Sequence, residues 1–202
     1  MADLTRTLLE CGVSVAALHG QSVLGDRHVV QSFDGGMLVA VIDGLGHGQE
    51  AAAAASEAAR TVESHAHAPV IEILHACHDA VRHTRGVVMS VASFNAADQT
   101  MVWTGVGNVE GLLLRSDSTA SPSSEMLMLR GGVVGHHLPS LAAAIIPVTR
   151  GDTLIFATDG VGIGFSRGLH SNEHPQRMSD RILATYATRA DDALVVTARF
   201  CG

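Results

Sequence analysis

VAVIDGLGHG, residues 39–48, decides the fold. The apolar β-formers Leu38 to Ile42 stop abruptly at Asp43-Gly44, and Gly46 and Gly48 then lead into an alanine-rich run, Ala51 to Ala55, that reads as a helix. A strand therefore delivers a carboxylate to its own end just before a helix begins. A charged side chain leaving a buried strand at a glycine-rich turn is costly unless something compensates it, and a cation is the usual compensation. The pattern recurs in TLIFATDG, Thr153 to Gly160, a second apolar strand that ends in Asp159-Gly160. Asp-Gly is a common turn dipeptide. Neither instance has the setting of a two-residue hairpin, since a helix follows one and the glycine-rich VGIGFSRGL follows the other. Two strand ends of one kind suggest one shared site.

Upstream of Asp43, residues 11–18 and 28–33 read as strands, with Gly20 and Gly25-Asp26 between them, and Asp34-Gly35-Gly36 as a hairpin turn. A hairpin centred on that turn brings Asp26 opposite Asp43 at the same sheet end, provided the register does not slip by one. Downstream, the alanine-rich helix runs from Gly46 to about His65 and a second helix from Val70 to about Arg85, with Pro69 at its start. Strands are then expected at 86–94, 100–105, 109–115, 126–129, 141–146, 153–158 and 194–199. A polar loop spans 116–124, and a third helix runs from about Glu173 to Ala187. Strands, two helices, many strands, one helix and one strand give an α+β chain, two antiparallel sheets stacked with helices outside. Trp103 and the seven methionines read as core.

At 202 residues the chain is expected to form a single domain, residues 1–202. Its net charge is −7, and the basic residues are scattered, which argues against a nucleic-acid surface. Cys11, Cys77 and Cys201 lack the spacing of a disulfide or zinc framework and read as reduced thiols. No apolar run approaches the ~20 residues needed to cross a bilayer, and Met1 to Arg6 does not resemble a signal peptide. A cytoplasmic protein, monomeric and without nucleic-acid or membrane partners, is expected.

Asp26, Asp43, Asp159 and the Asp191-Asp192 pair all flank strands at positions that can converge on one rim. Hard oxygen ligands without paired Cys or His favour Mg²⁺ or Mn²⁺ over Zn²⁺, and two such ions can activate water for an in-line phosphoryl displacement. No G-x-S-x-G elbow and no P-loop supplies a rival nucleophile or phosphate cradle.

GDRHVVQSF, VAVIDGLGHG with its alanine-rich helix, TRGVVMSVASF, GVGNVEG, RGDTLIFATDG and ADDALVVTARF occur in an order that resembles the metal-dependent protein phosphatases of the 2C type. The likeness is to the short bacterial members that act on sigma-factor regulators, among them the stressosome phosphatases, and runs from about residue 25 to the end. It implies an α-β-β-α sandwich with a two-metal Mn²⁺ or Mg²⁺ centre. It also implies roles: Asp43 as the aspartate bridging both metals, Gly44 as a backbone-carbonyl ligand, and Asp26, Asp159 and Asp191 as further ligands, with Asp43 and Asp159 catalytic. Asp192 falls at a position that is often Asn or Asp. The nucleophile implied is a metal-activated hydroxide, and the substrates are phosphoserine and phosphothreonine on STAS-domain stressosome proteins, whose dephosphorylation resets a stress pathway. The alternatives are a phosphatase of a single anti-sigma-factor antagonist outside a stressosome, and a pseudophosphatase that only binds its partner.

The chain departs from the family at Leu194, where a hydroxyl residue is frequent, and at GVGNVEG, which replaces a glycine-histidine-proline type sequence. Arg27, beside Asp26, is the sequence candidate to meet a substrate phosphate, with a surface charge as the plainer reading. His47 is read as a turn residue or a neighbour of the metals. Glu72, His75 and His78 read as a solvated helix face, and His136-His137 as a loop bordering the cleft at most.

Overall fold

The computed structural model describes residues 7–18, 23–117 and 119–202. The Gly20 turn and the first six residues lie outside that range. Among the described residues the elements are β1 (Leu9–Ala16), β2 (Asp26–Phe33), β3 (Gly36–Gly44), α1 (Gln49–Ser64), α2 (Val70–Ala80), β4 (Val87–Asn95), β5 (Thr100–Val106), β6 (Glu110–Leu114), β7 (Ser124–Met126), β8 (Ala144–Pro147), β9 (Thr153–Ala157), α3 (Pro175–Tyr186) and β10 (Ala193–Phe200). The described strands form two antiparallel five-stranded sheets, ordered β1-β10-β9-β6-β7 and β2-β3-β4-β5-β8. Helix α1 lies on β2 and β3, and α3 lies on β1 and β10, so the layers run α-β-β-α as expected.

Strand β3 shows why the sequence reads as one apolar run. Its side chains alternate between two interfaces: Leu38, Ala40 and Ile42 pack under the helices, and Val39 and Val41 pack between the sheets. A strand covered on both faces has no polar phase to display. The alanines of α1 serve the same close packing, since Ala51, Ala54, Ala55 and Ala58 are fully buried against the sheet. Between the sheets Phe94 and Phe200 stack at 6.1 Å, one ring from each sheet. A third interface, built on Ile155, Met178, Ile182 and Val195, seats α3.

Several boundaries move. Helix α2 stops at Ala80 rather than near Arg85, because residues 81–86 form turns stitched by Thr84, whose hydroxyl donates to Val81 O and accepts from Gly86 N. The strand expected at 126–129 lies instead at 124–126, an edge strand paired only with β6, and Leu127 turns inward with its N–H on Gly111 O. Met126 and Met128 are therefore exposed at 55% and 76%, which corrects the reading of all the methionines as core; Met89, Met101 and Met178 are buried, as is Trp103. Hydrophobicity alone does not distinguish an edge strand's outward residues from its inward ones. Strand β8 begins at Ala144, not Leu141, and β2 begins at Asp26, two residues earlier than expected.

Candidate metal centre

Asp26 and Asp43 are direct cross-strand partners in the β2–β3 ladder, the register expected from the hairpin turn. Asp43 also faces Val88 across the β3–β4 ladder, so its backbone is held from both sides. The other sheet contributes the ends of β9 and β10, where Thr158 N donates to Leu194 O at 3.1 Å and Leu194 N donates to the Thr158 hydroxyl at 2.9 Å. That hydroxyl donates in turn to Asp26 Oδ2 at 2.8 Å. One threonine thus joins the two sheets at the end where the acidic residues gather.

Asp192 is the second such joint. Its carboxylate accepts from Leu18 N at 2.7 Å and from Gly25 N at 2.6 Å, and it is 4% exposed. It ties the chain after β1 and the residue before β2 to the start of β10. Asp191, by contrast, is exposed and lines a cleft of about 320 Å³ together with Asp43, Asp159, Asn108 and the backbone of Gly46. Asp26 lies behind this cleft, buried.

Two glycines let these pieces approach. A Cβ on Gly44 would lie 2.1 Å from Ala51 O, and one on Gly160 would lie 2.0 Å from Asp192 O. The glycine after each strand-end aspartate is required by neighbouring backbone and not only by the turn.

The electrostatics are those of crowded carboxylates. Burial, opposed by the Thr158 hydrogen bond and reinforced by Asp192, Asp159 and Asp191, pushes the Asp26 carboxyl up to about 7. Burial and then Asp26, with Asp159, Asp191 and Asp192 behind it, pushes Asp43 up to about 8. Asp159 is raised by burial and by Asp191, against the hydrogen bond it accepts from Asn108 Nδ2 at 2.8 Å. None of the ion pairs among the described residues involves these carboxylates. A cleft lined by several carboxylates that take part in none of those ion pairs fits hard divalent cations in charge and donor type. Among the described residues no three His, Cys, Asp or Glu side chains form a closed metal group by themselves. Backbone carbonyl and solvent oxygens must then complete the donor set, as is usual for Mg²⁺.

Asn108 was not anticipated from the sequence. Its only signal is the GVGNVEG departure, which places an amide donor beside Asp159. Arg27 does not reach the cleft: its guanidinium donates to Leu24 O and Asp26 O at 2.8 Å and to Ser56 Oγ at 3.2 Å, on the α1 side. His47 is exposed in the turn before α1. His78 Nδ1 accepts from Gly135 N at 2.9 Å, which gives that histidine a structural task, and neither it, Glu72, His75, His136 nor His137 lines the cleft. A larger groove of about 710 Å³ lies between the start of α2 and strands β5 and β8. It is mostly apolar, without clustered carboxylates.

The fold and sequence have known relatives. The family model of Stage II sporulation protein E (SpoIIE) matches residues 34–200. The chain belongs to this family, whose class is the PP2C-type serine/threonine protein phosphatase. Among named relatives it is similar to phosphoserine phosphatase RsbX of Bacillus subtilis (strain 168), at 26% identity over 176 residues, 86% of this chain and 85% of that protein. The structure of RsbX in complex with magnesium superposes with a TM-score of 0.85 at 23% identity, covering 95% of each chain. A structure from the bacterial stressosome, described as a modular system adapted to control secondary messenger signalling, superposes at 0.84 with 27% identity, covering 95% of this chain and 99% of the other. No described helix is long and apolar enough to cross a membrane.

Proposed function

We propose that this chain hydrolyses phosphoserine and phosphothreonine on STAS-domain proteins of a stressosome in the cytoplasm, and thereby resets a stress-signalling pathway. The observation that carries the reading is the meeting of Asp43 from one sheet with Asp159 and Asp191 from the other around one cleft, with Asp26 buried as the cross-strand partner of Asp43. Asp43, Asp159, Asp191, Asp26 and the Gly44 carbonyl would hold the metal, Mn²⁺ or Mg²⁺ with two ions. Divalent cations bound there supply Lewis acidity and water activation for an in-line displacement at phosphorus.

The chain's own residues set up that chemistry. Thr158 fixes the Asp26 carboxylate through a buried hydrogen bond, and Asn108 fixes one oxygen of Asp159, so the donors are oriented before any ligand arrives. Asp192 holds both sheets together at this end, and its N–H donates at 2.8 Å to Oδ1 of Asp191, which faces the cleft. The likeness to a stressosome structure and to RsbX favours STAS-domain substrates over other phosphoproteins. The chain is proposed to act as a monomer.

The test is phosphate release from a phosphorylated STAS-domain protein and from an unrelated phosphoprotein, with and without Mn²⁺. Turnover that prefers the STAS-domain protein supports the reading. Equal turnover of both removes the substrate assignment, and tight binding without turnover makes the chain a docking protein.

A further inference from the structure

We infer that Arg85 receives the phosphoryl group of the substrate at the mouth of the cleft. The inference rests on the phosphatase reading of that cleft. Arg85 immediately precedes Gly86, whose carbonyl accepts from Leu45 N at 3.2 Å, and Val87, which pairs with Gly44. It is therefore carried directly opposite the turn that follows Asp43. Its guanidinium lies over Gly46, one of the residues lining the cleft: a Cβ built there would sit 2.7 Å from Arg85 Nη1. The bare backbone at Gly46, which also has a φ of +86°, leaves the slot that the guanidinium fills.

The other end of the fork is held loosely. Arg85 Nη2 pairs with Glu50 in the first turn of α1, and the two side chains are 50% and 70% exposed. An exposed pair of this kind is screened and weakly held, whereas a phosphoryl dianion offers a guanidinium two oxygens in matching geometry. Glu50 thus occupies the fork in the absence of substrate and yields it when a phosphate arrives.

The need for such a residue follows from charge. The chain carries a net charge of −7, its cleft is lined by Asp43, Asp159 and Asp191, and it contains no lysine, so an arginine beside the metal site would favour the approach of an anion. Arg27, whose guanidinium is bonded on the α1 side, cannot do it.

The experiment measures kcat and KM separately for Arg85→Ala, Arg85→Lys and Glu50→Gln, on a phosphorylated STAS-domain protein and on p-nitrophenyl phosphate. Arg85→Ala is expected to raise KM about tenfold on both substrates with kcat nearly unchanged, as loss of a partly exposed charge-assisted contact requires. Arg85→Lys recovers part of that loss, because an ammonium lacks the fork. Glu50→Gln lowers KM roughly two- to fivefold, since it frees the arginine from a weak pair. If the pair merely tethers α1 to β4, Arg85→Ala and Glu50→Gln lower the melting temperature alike and leave KM unmoved, and the inference is overturned. A second arm compares binding of phosphorylated and unphosphorylated protein to Asp159→Asn with and without Arg85→Ala. Loss of the preference for the phosphorylated form supports the assignment even if no substrate is turned over, and an unchanged preference overturns it. Absence of turnover by the wild-type chain on every phosphoester bears on the phosphatase reading alone.

Discussion

Asp26 and Asp43 face one another across the β2–β3 ladder, and the hydroxyl of Thr158 from the opposite sheet reaches Asp26 Oδ2 at 2.8 Å. Two buried carboxyls held side by side in this way store a dependence on pH. Both are raised, Asp26 to about 7 and Asp43 to about 8, by burial and by their acidic neighbours. The metal-free folded chain therefore keeps protons that the unfolded chain releases from about pH 4 upward. The pair costs no stability below that range, and its cost grows as pH rises towards 8 and levels off beyond. Thermal unfolding of the metal-free protein between pH 5 and 8.5 should show this growing cost, and Asp43→Asn should flatten it. A stability that rises over the same window in the wild type, or an equal slope in the variant, contradicts the assignment. Added Mg²⁺ or Mn²⁺ should reverse the trend, because the cation binds the deprotonated pair.

Thr158→Val keeps the shape of a fully buried side chain and removes two hydrogen bonds, one to Asp26 and one from Leu194 N. The loss should cost about 1–3 kcal/mol in urea unfolding and weaken divalent-metal binding about 10–100-fold, through the freed Asp26 carboxylate. A variant that binds metal as tightly as the wild type would remove Thr158 from the centre.

Asp191 and Asp192 are adjacent in sequence and opposite in task. Asp192→Asn should lower the melting temperature, since its carboxylate carries the Leu18 and Gly25 N–H groups. Asp191→Asn should leave the unfolding free energy of the metal-free protein within about 0.5 kcal/mol of the wild type, as an exposed substitution does, while phosphate release is lost. The reverse pattern in thermal scans and activity would exchange the two roles.

Asn108→Ala removes the donor to Asp159 Oδ2 at the cleft wall. Phosphate release should fall about tenfold, at the lower end for loss of a supporting hydrogen bond to a metal-site carboxylate, with the unfolding midpoint nearly unchanged. Metal titration by calorimetry distinguishes a weakened site from a misfolded one.

Much of the centre was legible in the sequence because strand ends are marked by composition. Leu38 to Gly44 and Thr153 to Gly160 each end in Asp-Gly, and the turn at Asp34 to Gly36 fixes the register that sets Asp26 against Asp43. Two stacked sheets with helices outside follow from helices that break a run of strands, and the α-β-β-α order is what the resemblance to 2C-type phosphatases implies. What was not legible depends on contacts distant in sequence. Asn108 and Asp159 are 51 residues apart, Thr158 and Asp26 are 132 apart, and no local pattern announces either pair. Arg27 drew attention by standing next to Asp26, yet along a strand neighbouring side chains point to opposite faces, and its guanidinium is bonded on the α1 side. Met126 ends the edge strand β7 and Met128 lies just beyond it, and hydrophobicity alone does not show which side of such a segment stays uncovered.

The most direct test of the account is the rate of phosphate release from a phosphorylated STAS-domain protein as Mn²⁺ is titrated, for the wild type and for Asp43→Asn. No release is expected without metal, saturable release by the wild type, and a loss of about a hundred- to a thousandfold in the variant at every metal concentration, the scale on which removal of one catalytic group is measured. Release by the wild type in the presence of a chelator, or undiminished release by Asp43→Asn, would contradict it.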